Sequence, residues 1–310
     1  METDRGRSAL AVVAGASLWG TAGAAQELGA AAAAPWAVAA VRTSLGGILL
    51  LATAALIGSW PGVRAVVRHG RGPVAVAAAA LAVFQLGYLG GIRLSGVALG
   101  TLIAIGSAPV FAGIHGAVTG RRPSRRWLAA TVLTLSGTAM LVLPSGEAVG
   151  APPAGVALGL IAGAAYASYA IASKRLLERG LPGFATIAVA FPGAGLLLAP
   201  LLLFADTRWM ATGTGLVAMA WLTVVAVAIS YALFLRGLAG IDAPTATTLT
   251  LAEPLMAAFL GIAVVGERFA GLGLVGAIVL AAGLALAGGV PPRIPVGAWD
   301  RLGRRRTGGR

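Results

Sequence analysis

The sequence predicts an all-α integral membrane protein with ten transmembrane helices, and three observations lead to that fold class. Hydrophobic residues make up 58% of the 310-residue chain and charged residues only 11%, whereas a soluble domain carries roughly 25% charged residues to face water. Apolar stretches of transmembrane length recur along the chain, and its two halves resemble each other. The composition excludes a soluble globular protein and a disordered chain, and the absence of cysteine excludes disulfides and thiolate metal sites.

Each predicted span is long enough to cross a hydrocarbon core about 30 Å thick as a helix. The ten spans are 8–28, 35–58, 73–92, 97–118, 127–144, 153–173, 183–204, 213–235, 243–264 and 269–289. Turn and charge signals separate them, such as Trp60-Pro61-Gly62 and Ala151-Pro152-Pro153.

The net charge of +13 is typical of nucleic-acid-binding proteins, but its distribution indicates a membrane topology instead. With the N-terminus in the cytoplasm, 19 of the 23 basic residues fall in inner segments, and only Arg93, Arg208 and Arg268 fall in outer loops. Lys and Arg in short loops stay on the cytoplasmic side. We therefore expect a multi-pass protein of a bacterial-type plasma (inner) membrane with both termini in the cytoplasm, bound to membrane lipids and not to nucleic acid.

The halves 8–144 and 153–289 repeat with a period near 146 residues, and a basic tail follows at 290–310. Ala108-Pro109 falls on Glu253-Pro254, and Gly120-Arg121 falls on Gly266-Glu267. Because each half contains five spans, an odd number, the second half is expected to be inverted relative to the first. Inverted repeats are typical of secondary transporters, although duplication also builds channels and some membrane enzymes.

The centre of the ninth span falls at Glu253-Pro254. Proline has no N–H, so we expect the carbonyl of Thr250 to lose its helical partner and the helix to break there. Glu253, Thr250 and Thr247 are spaced to share one helix face. A carboxylate at this depth must be protonated, paired or in contact with water. Glu253 is either a proton-coupling or substrate-binding group, or a structural carboxyl that bonds the broken backbone.

Two further residues in the spans mark the predicted site. Pro109 mirrors Pro254 and predicts a second helix break, but Ala108 precedes it where Glu253 precedes Pro254. An acid in only one wall suits a polar or zwitterionic substrate. Arg42, in the second span, needs Glu27, Glu253 or a substrate carboxylate as a partner, or extends to the outer interface.

Other polar and aromatic side chains inside the spans are candidates for lining a cavity. They are Trp19, Gln85, Tyr88, Tyr166, Tyr169 and Tyr231. Hydrogen bonding between packed helices is the alternative role for each of them.

Enzyme chemistry finds little support. The chain has only two histidines, His69 and His115, and it lacks a metalloprotease motif and a phosphate-binding glycine loop. We therefore expect no cofactor, no metal and no catalytic residues.

Taken in order, several motifs resemble those of the EamA-type members of the drug/metabolite transporter superfamily. They are Leu18-Trp19-Gly20-Thr21, Arg42 in span two, Ala108-Pro109-Val110-Phe111, Glu253-Pro254 and Gly266-Glu267-Arg268. The resemblance covers about residues 10–290 and implies ten helices in two inverted five-helix units around a central cavity. One departure is visible, because the Gly-Glu usual after the fourth span is Gly120-Arg121 here.

The resemblance implies transport, often export, of amino acids, other metabolites or toxic compounds. Together with the residues, it leads us to expect a permease that exports a small polar metabolite such as an amino acid, with Glu253 as the critical acid of the cavity and the breaks at Pro109 and Pro254 shaping the site. The alternatives are an integral-membrane enzyme, a lipid-handling protein or a passive channel.

Overall fold

The computed structural model describes residues 2–142, 152–260, 262–263 and 271–289 of the chain. This part is built of helices and short connections. Eight helical stretches in it are long and apolar enough to cross a bilayer: Asp4–Ala30, Pro35–Leu56, Arg71–Ser95, Leu99–Val118, Pro153–Glu178, Gly183–Leu202, Gly213–Gly240 and Gly271–Gly288. The predicted all-helical membrane fold is confirmed.

In the first half of the chain the helices are α1 (Glu2–Gly20), α2 (Ala22–Ala30), α3 (Pro35–Leu56), α4 (Trp60–His69), α5 (Arg71–Ser95), α6 (Val97–Val118) and α7 (Arg125–Val142). In the second half they are α8 (Pro153–Glu178), α9 (Gly183–Leu202), α10 (Gly213–Thr223), α11 (Ser230–Gly240), α12 (Ala243–Leu249), α13 (Ala252–Leu260) and α14 (Gly271–Gly288). A π-helical turn, Val224–Ile229, joins α10 to α11.

Two of the ten predicted spans, the fifth and the ninth, are not among these eight stretches. Helix α7 opens with two arginines, Arg125 and Arg126, and the ninth span is divided into α12 and α13. The count of ten spans therefore stays a prediction. The tail 290–310 and the motif Gly266-Glu267-Arg268 lie outside the described residues.

The sequence predicts only a connection between the spans 35–58 and 73–92, whereas the structure forms helix α4 there. Val63 and Val66 are buried, whereas Arg64 and Arg68 are exposed. A short helix with one apolar and one basic face is suited to lie along a membrane surface.

The interruption between α12 and α13 has a different geometry from the one predicted. The amide N–H of Glu253 donates to the carbonyl of Thr250 at 3.0 Å, and the N–H of Leu251 donates to the carbonyl of Thr248 at 3.2 Å. The prediction that the Thr250 carbonyl loses its partner is wrong, because a tighter bond to the third residue replaces the one that Pro254 cannot make.

The predicted helix break at Pro109 is also wrong, because α6 continues from Val97 to Val118 with Pro109 inside it. Ala104, Ala108 and Ala112 on the same helix are almost completely buried. Neighbouring helices pack tightly around this segment, and such packing lets a membrane helix tolerate a proline.

Small residues bring the long helices into backbone contact, and several of them keep the GxxxG spacing that permits a close approach of membrane helices, such as Gly87 and Gly91. Gly91 of α5 faces Gly159 of α8, and Gly163 of α8 faces Ala104 of α6. A side chain at any of these glycines would meet backbone or side-chain atoms of the neighbouring helix. The bundle therefore depends on the absence of Cβ atoms along these contacts.

Two helices of the first half, α3 and α7, pack against the helices at the equivalent positions of the second half, α9 and α14. Gly47 of α3 faces Pro192 of α9, and Ser44 faces Gly195. Because the numbers rise on one helix as they fall on the other, the two helices are antiparallel. Helices α7 and α14 pack in the same antiparallel way.

The remaining large contacts also match between the halves. Helix α5 packs on α8, the first helix of the second half, and α11 packs on α1, the first helix of the first half. In both pairs the glycine contacts run antiparallel, as in Gly91 with Gly159 and Gly15 with Ser230. A twofold axis between the halves would produce this set of contacts.

The contact between α7 and α14 provides a test of this packing. A Cβ atom at Gly137 would collide with the backbone of Leu280 and Gly276, so we expect Gly137→Ala to lower stability by about 1–3 kcal/mol through overpacking. The midpoint of thermal unfolding in detergent should fall by roughly 3–10 °C.

Gly23→Ala is the matched control, because nothing lies within 4 Å of a Cβ atom at this helical glycine. It should leave stability unchanged or raise it slightly, since alanine is the better helix former. Equal loss in both variants would contradict the close helix contact.

Candidate functional site

The helices of the bundle are irregular at three segments. The first is the junction of α1 and α2 at Thr21, the second is the interruption between α12 and α13, and the third is the π-helical turn before Ser230. A Cβ atom built on Gly20 would lie 2.5 Å from the carbonyl oxygen of Glu253, so the first two segments touch. Irregular backbone at this depth is tolerated only against protein or a watery cavity.

The side chain of Glu253 stands at this meeting point. It is half-buried, and within the described residues it makes neither a hydrogen bond nor an ion pair. Its carboxylate interacts electrostatically with Arg42 of α3 and with Tyr88, Tyr166 and Tyr231. A carboxylate placed this way faces an accessible space and is free to receive a ligand.

Arg42 is held by a short polar chain from α5. Its Nη2 donates to Oε1 of Gln85 at 3.1 Å, and Nε2 of Gln85 donates to the hydroxyl of Thr43 at 3.1 Å. Arg42 is half-buried and its Nε is buried without a hydrogen-bond partner. Gln85 therefore directs the guanidinium into the bundle, and of the predicted partners neither Glu27 nor Glu253 pairs with it directly.

Aromatic rings form the wall between these elements. The ring of Trp19 lies 4.7 Å from that of Tyr231, 5.6 Å from Phe234 and 6.2 Å from the edge-on ring of Tyr166. The indole Nε1 of Trp19 is buried without a hydrogen-bond partner among the described residues. An orphaned donor of this kind in a membrane protein is a candidate ligand contact.

A second part of the wall comes from α5 and α6. Tyr88 and Thr101 share a hydrogen bond of 3.1 Å between their hydroxyls, and the ring of Phe84 stacks on Tyr88 at 5.4 Å. All three side chains are half-buried. Tyr88 and Thr101 lie within two helical turns of the α5–α6 turn, so this part of the wall is near that end of the bundle.

The opposite end of the bundle is closed. Tyr169, Ser173, Phe234 and Thr247 lie between the Glu253 carboxylate and the end that contains the start of α1, and all have 0% exposed surface. Side chains on the α5–α6 side of the site thus keep some exposed surface, whereas those toward the start of α1 are packed without any.

The predicted site residues separate into two groups. Trp19, Arg42, Tyr88 and Glu253 are half-buried around the accessible space, and we call these four the central site. The others are buried behind or beneath it: Gln85, Tyr166, Tyr169, Tyr231, Thr247 and Thr250.

The predicted polar stripe along one helix face is not continuous. The Thr247 hydroxyl donates to the carbonyl of Ala243 at 3.0 Å, and the Thr250 hydroxyl, beside Tyr166, donates to the carbonyl of Thr247 at 2.8 Å. Both hydroxyls therefore satisfy carbonyls of their own helix.

Sequence reasoning missed four contributors, namely Thr43, Phe84, Thr101 and Phe234. Thr43 and Phe84 adjoin predicted residues in the chain, and this proximity is the signal that could have found them. Thr101 and Phe234 stand in ordinary apolar spans and carry no local signal.

The chemistry available at the central site is a carboxylate and a guanidinium that are not paired with each other, together with the rings of Trp19 and Tyr88. Such a site can bind a small molecule that bears both charges, with the rings contacting its cation or its apolar part. Within the described ranges, no three His, Cys, Asp or Glu side chains come together as metal ligands would.

Comparison with known proteins agrees with this architecture. The EamA-like transporter family matches the chain twice, at residues 6–143 and 153–289. A Bacillus subtilis (strain 168) protein named Uncharacterized transporter YwfM is 37% identical over 284 residues, which cover 91% of this chain and 94% of that protein.

Two more distant similarities point the same way. A Salmonella typhimurium (strain LT2) protein named Uncharacterized inner membrane transporter YicL is 26% identical over 189 residues, 60% of this chain and 62% of the relative. A solved crystal structure matches 95% of this chain and 98% of its own with a TM-score of 0.76; its 19% identity makes this a likeness of fold alone. The chain is a multi-pass membrane protein and belongs to the EamA-like transporter family.

Proposed function

We propose that the protein is a secondary transporter that exports a small zwitterionic metabolite of the amino-acid class. The observation that carries this proposal is the unpaired Glu253 carboxylate and Arg42 guanidinium at one aromatic-lined site deep in the bundle. In this proposal Arg42 binds the substrate carboxylate, Glu253 receives its ammonium group, and Trp19 contacts the rest of the molecule.

The proposal includes ten spans in two inverted units around a central cavity, in a bacterial-type plasma membrane with both termini in the cytoplasm. The antiparallel packing of α3 on α9 and of α7 on α14 supports the inversion, and the basic inner loops support the orientation. In that orientation the accessible end of the central site faces outward. Alternating access would then open the packed layer of Tyr169, Ser173 and Phe234 toward the cytoplasm.

Export is favoured by the family resemblance, and Glu253 supplies a group through which a proton can be exchanged for substrate. Protonated, the carboxyl would leave the site with the single charge of Arg42; ionised, it would attract the substrate cation. Inward movement of a proton on Glu253 would in this way release substrate to the outside.

Purified protein in proteoliposomes tests the function directly. A carrier should show saturable uptake and counterflow across a panel of amino acids, and zwitterions should compete better than the amine or the carboxylic acid that lacks one charge. Arg42→Gln should weaken competition by zwitterions roughly 10- to 100-fold, since one charge-assisted hydrogen bond is worth about 1.5–3 kcal/mol.

Arg93→Gln is the control for that variant, because Arg93 is an exposed arginine at the end of α5 and its loss should leave competition unchanged. Flux without saturation would indicate a channel, and turnover of a lipid in detergent would indicate an enzyme. Either result would overturn the proposal.

Proton coupling is tested at Glu253. Glu253→Gln keeps the shape of the side chain but cannot exchange a proton, so we expect a pH gradient to drive no accumulation while counterflow persists. The matched change Glu27→Gln, at an exposed carboxylate of α2, should leave gradient-driven uptake intact. Normal gradient-driven transport by Glu253→Gln at every pH would show that the carboxylate is structural.

The direction in which the site is open is tested by cysteine labelling, which the absence of native cysteine makes simple. In right-side-out vesicles a membrane-impermeant thiol reagent should modify Thr101→Cys rapidly and Ser173→Cys slowly, because Thr101 borders the accessible space and Ser173 is sealed. Substrate should protect Thr101→Cys. Faster external labelling of Ser173→Cys would reverse the assigned orientation.

A further inference from the structure

A cavity lies on the flank of the bundle, away from the central site. It has a volume of about 430 Å³ and is bordered by the first turns of α5, the last turns of α6 and the face of α8 between them. Helices α5 and α6 pack together at their shared turn, where Gly100 faces Ile92, and separate toward the other end. Helix α8 lies behind the gap between them and forms the bottom of the cavity.

One end of this cavity is basic. Arg175 of α8 and Arg179, which directly follows α8, line it together with His115 of α6, and Nη2 of Arg175 lies 3.1 Å from Nε2 of His115. The nearby acid, Glu178, is engaged in an ion pair with Arg121 at 3.1 Å. Within the described part of the chain, Arg175 and Arg179 have no acidic partner, so the cavity presents two uncompensated positive charges.

The other end is apolar and opens sideways. Ile171 lies along it, and Val76 is 50% exposed beside it. Ser168, one turn deeper on α8, donates its hydroxyl to the carbonyl of Ala164 at 2.8 Å and leaves no free donor. From Arg175 to Ser168 the groove extends about 10 Å along the helix.

We propose that this basic groove, defined by Val76, His115, Ile171, Arg175 and Arg179, binds one anionic phospholipid. Arg175 and Arg179 hold the phosphodiester, and one acyl chain follows Ile171 and Val76 toward the middle of the bilayer. His115 accepts a hydrogen bond from Arg175 and fixes its guanidinium at the mouth, which leaves the remaining N–H groups for phosphate oxygens.

The shape of the groove favours a lipid over a free anion. A soluble phosphate needs only the charged mouth and gains nothing from an apolar channel that opens into hydrocarbon. A lipid uses both ends, because its headgroup stays at the level of the arginines while its chain covers apolar surface.

Native mass spectrometry of the detergent-solubilised full chain tests this proposal. Phosphatidylglycerol should form a one-to-one adduct with wild type, and phosphatidylcholine should bind roughly tenfold more weakly. The double variant Arg175→Gln with Arg179→Gln should lose the preference for phosphatidylglycerol. Val76→Trp, which leaves both arginines in place, should weaken the adduct by obstructing the chain.

The matched control is Arg64→Gln with Arg68→Gln, two exposed arginines with the same spacing on α4, and it should bind phosphatidylglycerol as wild type does. Equal loss in the control would overturn the proposal in favour of diffuse charge attraction. Inorganic phosphate that displaces the lipid adduct at equal concentration, or full binding by Val76→Trp, would overturn it in favour of an anion site without a chain. Each variant is compared only if it elutes as a single species with unchanged thermal stability.

Discussion

The structure depends on one constraint, which is that the bilayer core offers no hydrogen bonds to a polar group. Every backbone amide and ionisable side chain at depth must find its partner within the protein or face water inside it. The junction of α1 and α2 and the interruption between α12 and α13 therefore lie against each other, where Gly20 meets the carbonyl of Glu253. The tight turn at Thr250 obeys the same constraint, because its carbonyl takes the N–H of Glu253 in place of the one that Pro254 lacks.

The same constraint explains why so few charges reach the interior and why each is arranged so specifically. Arg42 is positioned by Gln85, which is in turn held by Thr43, whereas Glu253 makes no such bond and is half-buried. A guanidinium fixed by neighbours and a carboxylate left accessible differ in what they can do: the first can orient a ligand, and the second can change its protonation. Glycine contacts position the helices that carry these two groups, since Gly47 of α3 faces Pro192 of α9 and Gly20 of α1 faces the carbonyl of Glu253 in α13.

Much of this arrangement could be predicted from the sequence. The apolar spans and the helix interruption before Pro254 follow from hydropathy and proline chemistry, and the rarity of charge at depth predicts Glu253 and Arg42 as site residues. Pro109 shows where that reasoning fails. A proline accompanies the interruption between α12 and α13, whereas Pro109 lies inside an unbroken α6. Proline removes one backbone N–H donor from each helix, but the packing around that helix decides whether its regular hydrogen bonding is interrupted.

By itself, the sequence determined that the chain is an all-helical membrane protein with a repeated half and two ionisable groups at depth, because composition and periodicity act locally and additively. Only the tertiary structure decided which aromatic side chains border the site and which lie beneath it, as the contrast between Tyr88 and Tyr169 shows. It alone decided that Arg42 meets Gln85 and not Glu253. These outcomes depend on distances between helices far apart in the chain, and no local pattern of residues contains those distances.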